Sequence, residues 1–177
     1  MQFLVYGAGA VGSVLGGLLS LNHHDVCLVG RDAHVDAITS AGLRIKSATA
    51  EYHAHPSACS ALSAAMTSGT ECVVLGVKSQ DIPAAMEVLG PAVTAETPVV
   101  CIQNGVNAER ATAERFSHVY GAIFRMTCSM VQPGNVSFQT GGRVVVGKYP
   151  KGVDAFARSF AAVGIGCNAF SRRVDQD

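Results

Sequence analysis

The chain has 177 residues, of which 49% are apolar and 15% charged, and its formal net charge is zero. That length suits one domain with a substantial core, and the apolar share excludes a disordered chain. Zero net charge favours neither nucleic acid nor an anionic membrane as partner, and no apolar run reaches the length of a membrane span.

Gln2 to Tyr6 reads as a short buried strand. Gly7-Ala8-Gly9-Ala10-Val11-Gly12 follows at once, and an apolar helix pattern runs on through Val14, Leu15, Leu18, Leu19 and Leu21. Strand, G-x-G-x-x-G and helix in that order form a dinucleotide-binding fingerprint. Gly7 permits the tight turn, Gly9 lets a pyrophosphate reach the backbone, and Gly12 lets the helix pack close to the sheet. The helix N-terminus adds free N–H groups and a positive dipole end. After the Asn22-His23-His24 turn, Asp25 to Val29 is a second strand ending at Gly30-Arg31-Asp32. A helix is expected from about Ala33 to Ala41, with Asp32 as N-cap and Gly42 as the closing glycine.

Leu43 to Lys46 alternates like a half-exposed strand, and Ala50 to Ala54 can pair with it as a hairpin. Ser57 to Ala65 is rich in small residues and reads as a short helix. Cys72 to Val77 is a buried strand ending at Lys78, and Ile82 to Leu89 a helix. Pro98 to Ile102 is another buried strand, ending at Gln103-Asn104-Gly105, followed by a helix from Asn107 to Phe116. Alternating strands and helices mark an α/β fold with a Rossmann-type, doubly wound parallel sheet. The pattern then changes. Val119–Phe124, Thr127–Val131, Val136–Gln139 and Arg143–Val146, separated by Pro133-Gly134 and Gly141-Gly142, read as an appended antiparallel meander. Val153 to Val163 is an amphipathic helix with Phe156, Phe160 and Val163 on one face, and Cys167 to Phe170 a last strand.

None of the six cysteines forms a C-x-x-C pair. The chain enters its first strand with no signal peptide before it, so free thiols in a reducing, cytoplasmic compartment are expected. No Cys or His pair has zinc-ligand spacing; His53 and His55 read as solvent-facing strand residues.

In an open parallel sheet, ligands bind at the carboxyl ends of the strands. Those ends carry Gly7 to Gly12, Arg31, Lys78 and Asn104. In NAD-specific folds an acidic residue about 20 positions beyond the glycines holds the ribose hydroxyls. Arg31 stands there instead, and a guanidinium pairs with a 2′-phosphate in bidentate fashion, which argues for NADP(H). A slip of one residue would make Asp32 the acidic partner. Lys78 either neutralises cofactor phosphate or reaches solvent from its strand end. Asn104 either serves a ribose or substrate hydroxyl or is simply turn chemistry before Gly105.

Together, the glycine loop, Gly30-Arg31, Val77-Lys78-Ser79-Gln80, Gln103-Asn104-Gly105-Val106 and Pro133-Gly134-Asn135-Val136 resemble the N-terminal domain of the ketopantoate reductases (2-dehydropantoate 2-reductases). The resemblance runs over essentially the whole chain. It implies NADPH-dependent reduction of 2-dehydropantoate, a 2-keto acid, to pantoate on the route to pantothenate and coenzyme A. It assigns Gly7, Ala8, Gly9, Ala10, Val11 and Gly12 to the pyrophosphate, Arg31 to the 2′-phosphate and Lys78 to the cofactor. It assigns Asn104 to the nicotinamide ribose and the substrate, and a backbone contact to the region of Met130. In that family the catalytic lysine lies in a following helical domain. Residues 1–177 are therefore expected to be the cofactor-binding domain, with the catalytic lysine beyond Asp177 and no catalytic residue of their own. The missing domain or a second copy is expected to cover part of the apolar surface. Another 2-hydroxy-acid or β-hydroxy-acid dehydrogenase, or a non-catalytic NADP-binding module, is the alternative reading.

Overall fold

The structure, a computed structural model, describes residues 1–105, 107–139 and 144–163. Its elements are β1 (Gln2–Tyr6), α1 (Ala10–Leu21), β2 (Asp25–Val29), α2 (Asp32–Ala41), β3 (Leu43–Lys46), β4 (Glu51–Ala54), β5 (Ser57–Cys59), α3 (Ala64–Thr67), β6 (Cys72–Leu75), α4 (Ile82–Ala92), β7 (Val99–Cys101), α5 (Asn107–Ala113), β8 (Val119–Phe124), β9 (Thr127–Gln132), β10 (Asn135–Gln139), β11 (Val144–Lys148) and α6 (Ala155–Ala162). A seven-stranded sheet has the order β11-β8-β7-β6-β1-β2-β5. Six of its strands run parallel, and only β11 is antiparallel, paired with β8.

The central strands are buried on both faces, as a doubly wound sheet requires. Side chains alternate along β1. Phe3 and Val5 join the core under α1, while Leu4 joins Val73, Leu75, Val99, Met86 and Leu89 on the α4 side. The expected Rossmann-type sheet is therefore present.

Two sequence expectations are corrected. The segment expected to be a helix from Ser57 to Ala65 instead opens with β5, which pairs in parallel with β2, and only Ala64–Thr67 is helical. Its small residues permit either state, and pairing with the edge of β2 decides between them. The meander is also not one unit. β8 and β11 extend the main sheet, whereas β9 and β10 belong to a second, four-stranded sheet of order β4-β3-β10-β9. There β10 pairs antiparallel with β9 but parallel with β3, far earlier in the chain. The expected strand at Cys167–Phe170 lies outside the described residues.

The second sheet explains an oddity of α1, whose residues from Gly12 to Leu19 are all buried. This helix lies between the two sheets. A Cβ at Gly16 would meet Leu28, Val5 and Val26 of the main sheet, and one at Gly17 would meet Ile45 and Leu43 of the second. Both faces thus need a residue without a side chain at closest approach. α6 covers the β11 end of the main sheet: Asp154 caps it through Ala157 N–H at 3.0 Å, and Phe156 packs on Tyr120 with ring centroids 4.6 Å apart.

Candidate functional site: the glycine-loop cleft

The C-terminal ends of β1, β2 and β6 open into a cleft of about 630 Å³. The glycine loop forms its floor. Gly7 has φ +108°, and a Cβ on it would strike the Gly76–Val77 backbone. A Cβ on Gly12 would strike the carbonyl oxygen of Gly7, so the helix can start this close to the strand only with glycine there. The loop is pinned to the neighbouring strand end: Gly7 and Ala8 N–H both donate to Val29 O, at 3.1 and 2.7 Å. Gly9 is different. It is exposed, lines the cleft, and a Cβ on it would meet nothing within 4 Å. The space that a side chain would fill there belongs to the cleft.

Ser13 N–H is bonded to Gly9 O at 2.9 Å. Helix geometry therefore leaves the amides of Ala10, Val11 and Gly12 without an intrahelical acceptor. Gly9 is the N-cap and has no side chain to offer them, and no acidic residue stands in the first turn. The cleft floor is thus a positive helix end, an environment that favours negative charge.

Two cations stand on the rim. Arg31 and Lys78 are both exposed, both line the cleft, and neither side chain has a hydrogen bond or ion pair among the described residues. Arg31 is the N-cap of α2, and Asp32 is its first helical residue, so the cap lies one position earlier than the sequence pattern indicated. Asp32 is exposed and is not among the cleft-lining residues, whereas Arg31 is. Lys78 leads into a 3₁₀ turn, Ser79–Asp81, from which Gln80 and Asp81 also line the cleft. Met130, on β9, forms part of the facing wall and is 39% exposed.

Asn104 is not brought into the cleft lining. It is exposed on the loop after β7, and Gly105 beside it has φ +97°, which accounts for the Asn-Gly pair as turn chemistry. Its neighbour Gln103 holds the loop down by donating from Nε2 to Leu75 O and Val77 O, each at 2.8 Å. Val11 and Gly12 are not among the residues that line the cleft.

Sequence reasoning missed His34, Ser60 and Tyr6, which line the cleft as well. Ser60 follows β5, the strand misread as helix. Tyr6 and Ser60, with Val29, also border a neighbouring cavity of about 480 Å³ against α3 and α4. His34 is buried in the first turn of α2, with its Nε2 2.9 Å from Ser13 Oγ and its Nδ1 3.0 Å from Gly134 N. Burial lowers its pKa below the usual histidine value. The five described cysteines carry free thiols; Cys27 and Cys59 lie with their sulfurs 3.8 Å apart, and burial raises the Cys59 thiol to about 11. Among the described residues no group of three His, Cys, Asp or Glu is placed to hold a metal, and no helix is long and apolar enough to cross a membrane.

The family model for ketopantoate reductase PanE/ApbA matches residues 3–151. The chain belongs to the ketopantoate reductase family. The 2-dehydropantoate 2-reductase of Pyrococcus horikoshii is 31% identical over 156 residues, which are 88% of this chain and 50% of that protein. The crystal structure of a PanE/ApbA family ketopantoate reductase from Ralstonia eutropha superposes with a TM-score of 0.84 at 29% identity, over 98% of this chain and 57% of that one. A D-mandelate dehydrogenase solved with NADH and anilino(oxo)acetate shares the fold at 24% identity, with a TM-score of 0.83. The chain spans about half the length of the curated ketopantoate reductases it matches. The glycine loop, Arg31, Lys78, Asn104, Met130 and the Pro133-Gly134 turn all fall within the matched residues.

Proposed function

We propose that this chain is the NADPH-binding part of a 2-dehydropantoate 2-reductase. The observation that carries the reading is the pair of unpartnered cations, Arg31 and Lys78, on the rim of the glycine-loop cleft. The floor fits a pyrophosphate, because Gly9 leaves backbone open and the α1 amides lack acceptors. Arg31 then pairs with the 2′-phosphate, and Lys78 neutralises phosphate from the opposite side. Met130 and the β9 wall close the cleft.

When bound, reduced cofactor supplies a hydride to the ketone carbon of a 2-keto acid. The chain's own residues orient the cofactor and keep its phosphates neutralised. Asn104, on the loop beyond the cleft lining, is assigned to the nicotinamide ribose and substrate, a role that requires it to act from outside the described cleft. The developing alkoxide needs a proton donor. That donor, a lysine, is assigned to the half of the family's length that this chain does not span, together with most contacts to the substrate. The matched 2-dehydropantoate 2-reductases support the choice of substrate.

Fluorescence titration with NADPH and NADH tests the reading. NADPH should bind more tightly, by about tenfold or more if Arg31 makes a charge-assisted bidentate contact. Equal or tighter NADH binding refutes it.

A further inference from the structure

His34 is a polar residue, 4% exposed, on an otherwise solvent-facing first turn, and nothing in the reading above uses it. Its partners fix its chemistry. Gly134 N–H can only donate, so Nδ1 is the acceptor and carries no proton. The neutral ring then bears its hydrogen on Nε2 and donates to Ser13 Oγ. Ser13 is itself fully buried in the first turn of α1, immediately after Gly12 of the glycine loop. Gly134 is the turn between β9 and β10, with φ +75°, a Cβ position against Ala37, and a carbonyl that accepts from Arg44 N–H of β3 at 2.9 Å.

One imidazole therefore joins three parts of the cleft: the glycine-loop helix, the start of α2 and the turn that carries the Met130 wall. The same first turn of α2 begins at Arg31, whose carbonyl accepts from His34 N–H at 2.9 Å. His34 also lines the cleft, and a Cβ at Gly30 would come within 3.8 Å of its ring carbon Cδ2.

We propose that His34 is a positioning residue for cofactor selection, holding Arg31 in register with the glycine loop by bridging Ser13 and Gly134. This rests on the reading that the cleft binds NADPH through Arg31. Its signature is selective. Loosening α2 against α1 should weaken the 2′-phosphate contact more than the pyrophosphate contact. His34→Ala should thus lower the ratio of NADPH to NADH affinity, whereas a merely structural residue would weaken both alike.

The test is titration of NADPH and NADH against wild type, His34→Ala, Arg31→Ala and the double variant, with thermal melts alongside. The ratio should fall by about fivefold or more in His34→Ala, the scale of one or two lost hydrogen bonds. In the Arg31→Ala background the same change should barely alter it, because the two residues act through one contact. Should His34→Ala fail to fold, His34→Asn and His34→Gln are read in the same way. The Asn amide reaches the position of Nδ1 and the Gln amide that of Nε2, so each keeps one bond, and each should lower the ratio about twofold or more. A wild type that prefers NADPH, with the ratio unchanged in every folded His34 variant, overturns this inference alone. A wild type without that preference overturns the parent reading and this inference with it.

Discussion

Arg31→Asp separates binding from folding, because the two effects have opposite signs at this position. Arg31 is exposed on an open rim, so its contact with a 2′-phosphate falls at the lower end for a charge-assisted hydrogen bond, about 1.5 kcal/mol. An aspartate there also repels a phosphate carrying up to two charges, at a cost of about 1.5 kcal/mol at 5 Å in water. Together these predict a loss of NADPH affinity of roughly 100-fold. NADH affinity should hold or rise, since a carboxylate accepts from ribose hydroxyls. Folding should move the other way. Arg31 is the N-cap of α2, in extended conformation and without a side-chain cap bond. Aspartate is among the best N-caps, worth about 0.5–1 kcal/mol here. The assay is paired: titration with both cofactors, and a thermal melt of the free protein. NADPH affinity within twofold of wild type would refute the placement of Arg31 on the 2′-phosphate, and a lowered melting temperature would refute the capping argument.

Other substitutions probe the floor and the far end of the sheet. Gly9→Val should fold with a cost of about 1 kcal/mol or less, because its Cβ meets nothing, yet lose at least about tenfold in NADPH affinity by filling the cleft; unchanged affinity would show that the pyrophosphate lies elsewhere. Gly12→Ala should do the reverse, destabilising by about 1–3 kcal/mol because the methyl strikes Gly7 O, which chemical denaturation measures. Asp154→Ala removes the α6 cap and the acceptor of the Tyr120 hydroxyl at 2.9 Å, and should cost about 2 kcal/mol. Burial pushes the Asp154 carboxyl up, but donation from Ala157 N–H, Tyr120 and Lys148 outweighs it and holds the carboxyl below its ordinary value. Its contribution is therefore complete above the unfolded value near 3.9 and is lost as pH falls through the lower folded value. Melts of wild type and Asp154→Ala should converge at acid pH, and a gap that stayed constant would contradict the assignment.

The parts of this fold legible in the sequence are those set by neighbours in the chain. β1, the glycine loop and α1 follow from a buried run, a fixed glycine spacing and a helical apolar pattern, all within 22 residues. Arg31 and Lys78 were legible because a parallel sheet puts every strand end on one side. β5 was not, because Ser57–Cys59 becomes a strand only through its partner β2, about 30 residues earlier. The split of β8–β11 between two sheets was hidden for the same reason: the pairing of β10 with β3 spans about 90 residues. The all-round apolar surface of α1 was the visible trace of that second sheet. Asn104 illustrates a residue type with two readings, since Asn before Gly suits both a turn and a ligand, and residue type alone does not choose between them. His34 gave no signal at all. A histidine in a polar first turn looks exposed until Gly134, 100 residues away, supplies the hydrogen bond that makes its burial tolerable.

The central claim is that the glycine-loop cleft binds NADPH by its phosphates, and a co-crystal structure of the protein with NADPH tests it most directly. The account predicts the pyrophosphate across Gly9 and the amides of Ala10 and Val11, and the 2′-phosphate against the Arg31 guanidinium. A cofactor whose 2′-phosphate points to solvent away from Arg31, or one bound in the neighbouring cavity against α3 and α4, would contradict it.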